Sequence, residues 1–215
     1  MAVSSGNKLT YDTRRALRHL RRADPRLAKV MADIGPYRPS MRTMVSPFDS
    51  LMRAITYQQL SGKAAATIHG RVCALFPDKD APHPKALLAL PDKHLRGAGL
   101  SRNKLLALQD LAARTLDGTV PDHKGLAVMS DIEVIERLTQ VRGVGRWTVE
   151  MLLIFSLGRP DVLPVTDLGI RKGFRHAYAM KSLPAYSTLE RAGRNWAPYR
   201  SVAAWYLWRA ADTLI

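Results

Sequence analysis

Apolar residues recur along most of this chain at intervals of three and four, with charged or polar residues between them. Ala16, Leu20, Leu27, Val30, Met31 and Ile34 set the pattern near the start, and such spacing turns one side of a helix toward a core. The pattern predicts a helix over 11–22, a second opened by Asp24-Pro25 and closed at Gly35-Pro36, and a third from Ser46-Pro47 to Gln58. In both Asp-Pro and Ser-Pro pairs the first residue caps the helix and the proline takes its first position. After a turn at Leu60-Ser61-Gly62, a fourth helix carries Ala64, Ala65 and Ala66 toward Phe76, and 77–84 reads as a loop. Further helices are expected at about 85–90, 101–117, 131–138, 145–157, 167–178, 187–195 and 198–213, with Pro91-Asp92, Asp117-Gly118, Pro121-Asp122 and Gly158-Arg159-Pro160 as turns between them. Strand signals are sparse and no internal repeat is present, so the expected fold class is all-α.

Composition narrows the classes. With 47% hydrophobic residues in 215, the chain can bury a core and is not a disordered basic tail. The single Cys73 excludes a disulfide framework, a cysteine-ligated zinc site and a four-cysteine cluster. No apolar run approaches the roughly 18 residues of a membrane span, and residues 1–10 lack the apolar stretch of a leader. The expectation is a soluble intracellular protein, cytoplasmic or at the nucleoid, with no membrane partner. A formal charge of +15 and a pI near 10.4 suit a polyanion partner, although a merely basic surface would look the same. Arg14, Arg15, Arg18, Arg21 and Arg22 form the densest run, readable as a solvated helix face with a general attraction for DNA.

The most specific stretch runs from Leu138 through Thr139, Val141, Arg142, Gly143, Val144, Gly145, Arg146, Trp147 and Thr148 to Met151, between two amphipathic helices. Gly143 and Gly145 allow a tight helix-to-helix turn that a Cβ would oppose. Their bareness also lets a phosphate approach the first amides of the second helix. A plain glycine-capped turn is the alternative. Beyond the second helix, Leu163-Pro-Val-Thr-Asp167-Leu168 brings an apolar approach to one carboxylate. On local sequence alone, Asp167 is well suited to be a helix N-cap.

Together, this hairpin and an aspartate about twenty residues beyond it resemble the helix-hairpin-helix DNA glycosylase superfamily, and more narrowly its 3-methyladenine DNA glycosylase II branch. The stretches Pro47-Phe48 to Gln58-Gln59-Leu60-Ser61, Gly99-Leu100-Ser101 to Lys104, and Trp196 through Pro198-Tyr199-Arg200-Ser201 match that branch in order, so the resemblance covers nearly the whole chain. It implies a helix-hairpin-helix domain over 46–165 and a second helical domain built from 1–45 and 166–215, with a cleft between them. Residues 1–45, before the Ser46-Pro47 helix start, leave no room for the N-terminal β domain of the best-known bacterial member, which implies a minimal form.

The resemblance also implies roles. Asp167 faces the anomeric carbon of a flipped nucleotide, stabilises the charge that develops there and helps to orient or deprotonate the attacking water. Trp147 stands where strand-cutting members carry a Schiff-base lysine, which implies a monofunctional enzyme that leaves an intact abasic site. Its indole is either a wall that attracts a cationic base or simple core. Trp208, Met151 and Leu168, with Trp205 and Tyr206, are the other base-pocket candidates; Met151 and Leu168 stand where the bacterial member has tyrosines. Gln58, Gln59, Leu60 and Ser61 occupy the turn that enters the minor groove, with Gln59 and Leu60 as the inserted side chains, unless it is an ordinary helix-helix turn. Arg142, Gly143, Gly145, Arg146 and Thr148 meet DNA phosphate; Arg102, Asn103 and Lys104, just after Leu100-Ser101, are candidates to grip the other strand, with a plain charged, exposed face as the alternative. Carbonyls of Thr139, Val141 and Val144 are candidates to hold Na+ or K+; no cofactor is otherwise required. The implied partner is double-stranded DNA with alkylated bases, acted on by a monomer. A glycosylase for deaminated or mismatched neutral bases, or a non-catalytic damage-binding protein, are the alternatives.

Overall fold

The structure is a computed structural model that describes residues 9–76 and 82–212. Most of the loop expected at 77–84 lies outside these residues, as does the reading of residues 1–8. The described residues are all-α, with helices and no strand. They divide into two compact units, Met44–Val149 and a unit formed by both chain ends, Met1–Thr43 with Glu150–Ile215.

The inner unit begins with α3 (Pro47–Tyr57) and α4 (Gly62–Cys73), after α1 (Thr13–Ala23) and α2 (Pro25–Ile34) of the other unit. It continues with α5 (Pro84–Ala89), α6 (Asp92–Gly97), α7 (Arg102–Leu116), α8 (His123–Val128) and α9 (Asp131–Leu138). The long α7 packs against α3, α5 and α6. Leu105, Leu108 and Leu111 of α7 and Phe48, Leu51, Met52 and Ile55 of α3 are buried, as the helical spacing requires. Two helices depart from expectation. Pro91-Asp92 and Pro121-Asp122 read as turns, yet Asp92 starts α6, and Asp122 caps α8 by accepting from Gly125 N–H at 2.8 Å. Each of these helices has six residues, too few to display a repeat of 3.6, and capping and turn chemistry use the same residues.

The unit of the chain ends holds α1 and α2 with α11 (Leu168–Ala177), α12 (Tyr186–Trp196) and α13 (Arg200–Asp212), preceded by α10 (Arg146–Phe155), inside which the boundary between the units falls. Asp24 explains why the two ends fold as one. Its Oδ1 accepts from Arg26 and Leu27 N–H, capping α2, while its Oδ2 accepts from the Trp196 indole at 2.8 Å and from the Tyr178 hydroxyl. The carboxylate is buried with every donor at hand, the condition under which a buried charge is tolerable. Around it, Leu20, Leu27, Met31, Ile170, Phe174, Leu189, Val202 and Leu207 form the core. Gly173 lets α11 lie directly on α13, since a Cβ there would come 1.8 Å from the Leu207 carbonyl oxygen.

Candidate functional site

The hairpin lies in the inner unit, between the end of α9 and the first turn of α10. A Ser130–Glu133 capping box fixes the start of α9, and Thr139 ends it. Val141 and Val144 point inward and are buried, which leaves Arg142, Gly143, Gly145 and Arg146 on the surface. Gly143 has φ +76°, a conformation that disfavours any side chain. Gly145 differs from expectation: its φ lies outside the left-handed region and no atom stands within 4 Å of where its Cβ would be. The turn itself does not require glycine there, and the space beside it is open. Gly145 accepts the first bonds of α10, from Thr148 and Val149 N–H at 2.9 and 3.3 Å.

The hairpin is tied to the turn after α3. Gln58 Nε2 donates to the Gly143 carbonyl at 2.9 Å, and Asp110 Oδ2 accepts from Arg142 N–H at 2.7 Å and from Arg114 Nε at 3.0 Å. The turn is braced from the other side by Lys104, whose Nζ donates to the carbonyls of Thr56 and Gln58 at 2.7 and 2.8 Å. Desolvation beside these carbonyls lowers the Lys104 ammonium from its ordinary value. Lys104, expected to grip DNA, thus directs two of its three protons into the protein. Gln59 follows at φ +55°, uncommon for a residue with a side chain, and Leu60 stands 39% exposed. Ser61 caps α4 through Ala64 N–H at 3.4 Å, and Arg102 is exposed at the start of α7. Trp147, on the first turn of α10, is 49% exposed, which removes the core alternative for it; Thr148 beside it is half-buried.

Asp167 belongs to the unit of the chain ends, and there both of its readings meet. Its Oδ1 accepts from Ile170 N–H at 2.8 Å, capping α11. The same oxygen accepts from Trp208 Nε1 at 2.9 Å. Trp208 rests against Phe155, with ring centroids 5.5 Å apart and planes 35° from parallel, so it orients the carboxylate in addition to any contact with a base. The approach needs Gly169, whose Cβ would come 2.9 Å from Trp208 Cδ1 and 3.1 Å from Asp167 Oδ1. Leu168 is 51% exposed beside the carboxylate, and Met151 is half-buried on α10.

One pocket candidate is corrected. Tyr206 is fully buried, its hydroxyl donating to the Gly35 carbonyl at 3.0 Å. Trp205 meets Tyr37 and Tyr206 edge-on at 5.0 and 4.9 Å, with Arg209 over its ring. Tyr206 is thus a core aromatic, while Trp205 is half-buried beside it, where α13 packs toward α2 and the stretch after it.

Sequence reasoning missed Phe155, Gly169 and Asp110. It also missed what the Tyr199-Arg200-Ser201 stretch does: Arg200 holds Asp161 through Nε and Nη2 at 2.7 and 2.8 Å, and Ser201 Oγ donates to the Arg159 carbonyl and accepts from Val162 N–H. These bonds fasten the segment leading to Asp167 onto α13. A charged residue beside a helix start was the one available signal, and it does not name its partner.

The inner unit thus presents a hairpin between two helices and the unit of the chain ends a carboxylate oriented by an indole, and comparison with known proteins supplies the family. Residues 52–198 match the model of the HhH-GPD superfamily of base excision DNA repair proteins, and the chain belongs to that family. It is 38% identical over 195 residues to DNA-3-methyladenine glycosylase 1 of Schizosaccharomyces pombe, covering 90% of this chain and 85% of that protein. The solved structure of the S. pombe 3-methyladenine DNA glycosylase in complex with abasic DNA aligns at TM-score 0.79, with 37% identity over 91% of this chain and 95% of that one. A DNA-3-methyladenine glycosidase from Bacillus halodurans aligns at 0.85, with 35% identity over 96% and 93%.

Proposed function

We infer that this chain is a monofunctional DNA glycosylase that hydrolyses the N-glycosidic bond of alkylated purines, 3-methyladenine and 7-methylguanine, and leaves an abasic site. The observation that carries this is Asp167, with one oxygen fixed by Ile170 N–H and Trp208 Nε1, in a chain of the base excision repair family. The S. pombe relative is named for 3-methyladenine and was solved with abasic DNA, the product of such a reaction.

The chemistry asks little more of the protein. As the bond from C1′ to the purine breaks, its electron pair neutralises the charge of the alkylated ring, which makes the base a good leaving group without a general acid. Positive charge develops on the sugar, and a preorganised carboxylate lowers the barrier there. Water then bonds to C1′ and its proton passes to Asp167 or to solvent. Trp147 has no amine with which to form an imine, so the strand stays intact. Its exposed indole suits a cationic base by cation–π attraction. Gln59 and Leu60 enter the duplex where the nucleotide leaves the stack. The hairpin meets phosphate through its backbone, helped by Arg142 and Arg146. Carbonyls of Thr139, Val141 and Val144 would hold Na+ or K+; Val141 retains a lone pair beyond the bond it accepts from Val144 N–H at 3.0 Å, and an all-oxygen set suits a hard cation.

Asp167→Asn tests the reading. The amide oxygen can still accept from Ile170 and Trp208, so the variant should fold and bind duplex normally, while release of 7-methylguanine falls about 1,000-fold or more. Release at the wild-type rate would remove Asp167 from the mechanism. A panel with hypoxanthine and uracil reads out the lesion class, and preferential release of either would overturn the alkylpurine assignment.

A further inference from the structure

We propose that the exposed face of α1 is a second phosphate-binding surface for duplex DNA, separate from the hairpin and carried by the unit of the chain ends. DNA as the partner rests on the glycosylase reading. Between Thr13 and Ala23 the helix holds five arginines, one histidine and no acid. Arg14, Arg15, Arg18, Arg21 and Arg22 are all exposed, and none is ion-paired to a carboxylate among the described residues. The two acids at its ends offset the five arginines only in part, the charges of Arg18 and Arg14 acting on Asp12. Asp12 takes the amides of Arg14 and Arg15 at 2.8 and 3.2 Å as N-cap, and Asp24 is buried against Trp196 and Tyr178.

Arg15, Arg18, His19 and Arg22 fall at positions i, i+3, i+4 and i+7, on one face, and line an open groove of about 560 Å³ with Ala23. His19 is held in place, its Nε2 3.1 Å from the Asn195 carbonyl and its ring edge-on to Tyr199 at 5.5 Å. Exposed Arg191 and Arg194 lie on α12, which packs against α1. Like charges at i, i+3 and i, i+4 weaken a helix, and solubility is served better by mixed signs. A polyanion turns that repulsion into binding. Guanidinium is the group whose fork matches phosphate oxygens. At 1.5 Å per residue, Arg15 to Arg22 spans about 10 Å, a length over which three long arginine side chains can reach neighbouring phosphates of one strand, which rise about 3.4 Å apiece.

The test is the salt dependence of binding to an undamaged 25-base-pair duplex. Replacing Arg15, Arg18 and Arg22 together by Gln keeps helix propensity and should reduce the log–log slope by about 2.7, or about 0.9 per lost phosphate contact. The control removes the same charge from exposed positions of the other unit, Lys85→Gln, Lys93→Gln and Lys124→Gln, and should leave the slope near that of wild type. Equal losses in both variants would mean net charge alone acts, and an unchanged slope in the arginine variant would overturn the surface outright. So would arginine-dependent binding to phosphatidylserine vesicles with none to duplex. If the triple variant melts early, Arg18→Gln alone should still lower the slope by about 0.9. Excision of 7-methylguanine by wild type is scored separately: its absence would refute the glycosylase reading while the slope comparison still decides the α1 surface.

Discussion

Trp208→Phe isolates one hydrogen bond at the candidate site. In the native structure the indole Nε1 donates to Asp167 Oδ1 at 2.9 Å, and the ring lies against Phe155. A phenyl ring keeps the aromatic contact and loses the donor. Bonds to a charged acceptor contribute about 1.5–3 kcal/mol. Felt fully in the transition state, that loss slows base release by about 10- to 150-fold. Ile170 N–H still holds the same oxygen at 2.8 Å, so the carboxylate remains on its helix cap and the defect stays smaller than that of Asp167→Asn. The assay is single-turnover release of 7-methylguanine at saturating enzyme, with duplex affinity and thermal melting measured in parallel. The expected result is a slower step at unchanged affinity. Gly169→Ala approaches the same contact from the other side, because its Cβ would sit 2.9 Å from Trp208 Cδ1 and 3.1 Å from Asp167 Oδ1; it should slow release with the indole donor intact. A Trp208→Phe enzyme with the wild-type rate, or one whose whole defect is weaker DNA binding, would refute the positioning role.

Three further expectations follow from contacts elsewhere. Gly145→Ala strains nothing in the fold, so it should weaken binding to damaged and undamaged duplex equally by gel shift, since phosphate contacts do not read bases; a loss confined to damaged DNA would reject the backbone grip. Lys104→Met removes the brace on Thr56 and Gln58 and should lower the flipping signal of 2-aminopurine placed beside the lesion by about tenfold at unchanged salt slope, whereas a slope reduced by about 0.9 would show that Lys104 contacts phosphate. Gly173→Ala forces α11 off the Leu207 carbonyl and should cost about 3 kcal/mol or more, seen as a melting temperature lower by at least about 6 °C.

Local sequence is enough for the helices whose ends are made by local chemistry. Asp24-Pro25 and Ser46-Pro47 start α2 and α3 because a cap bonds to amides two and three residues away, and α9 carries its own capping box and runs over 131–138 as expected. The hairpin and Asp167 were legible in the same way, as short stretches whose residue types limit what they can do. Tertiary structure decided the rest. On α13, Val202, Ala203, Ala204, Tyr206, Leu207 and Ala210 are all buried, so apolar residues nearly surround the helix and no periodicity says which aromatic faces what. Packing against Gly173 and the stretch near Gly35 sends Tyr206 to the core, while Gly169 admits Trp208 to Asp167. Lys104 reads as a surface charge three residues after a cap, and only the placement of α7 beside the end of α3 gives it two carbonyls to hold. Hydrogen bonds between residues 46, 48 or 85 positions apart, as from Lys104 and Gln58, leave no mark on local sequence, because either partner alone suits many surroundings.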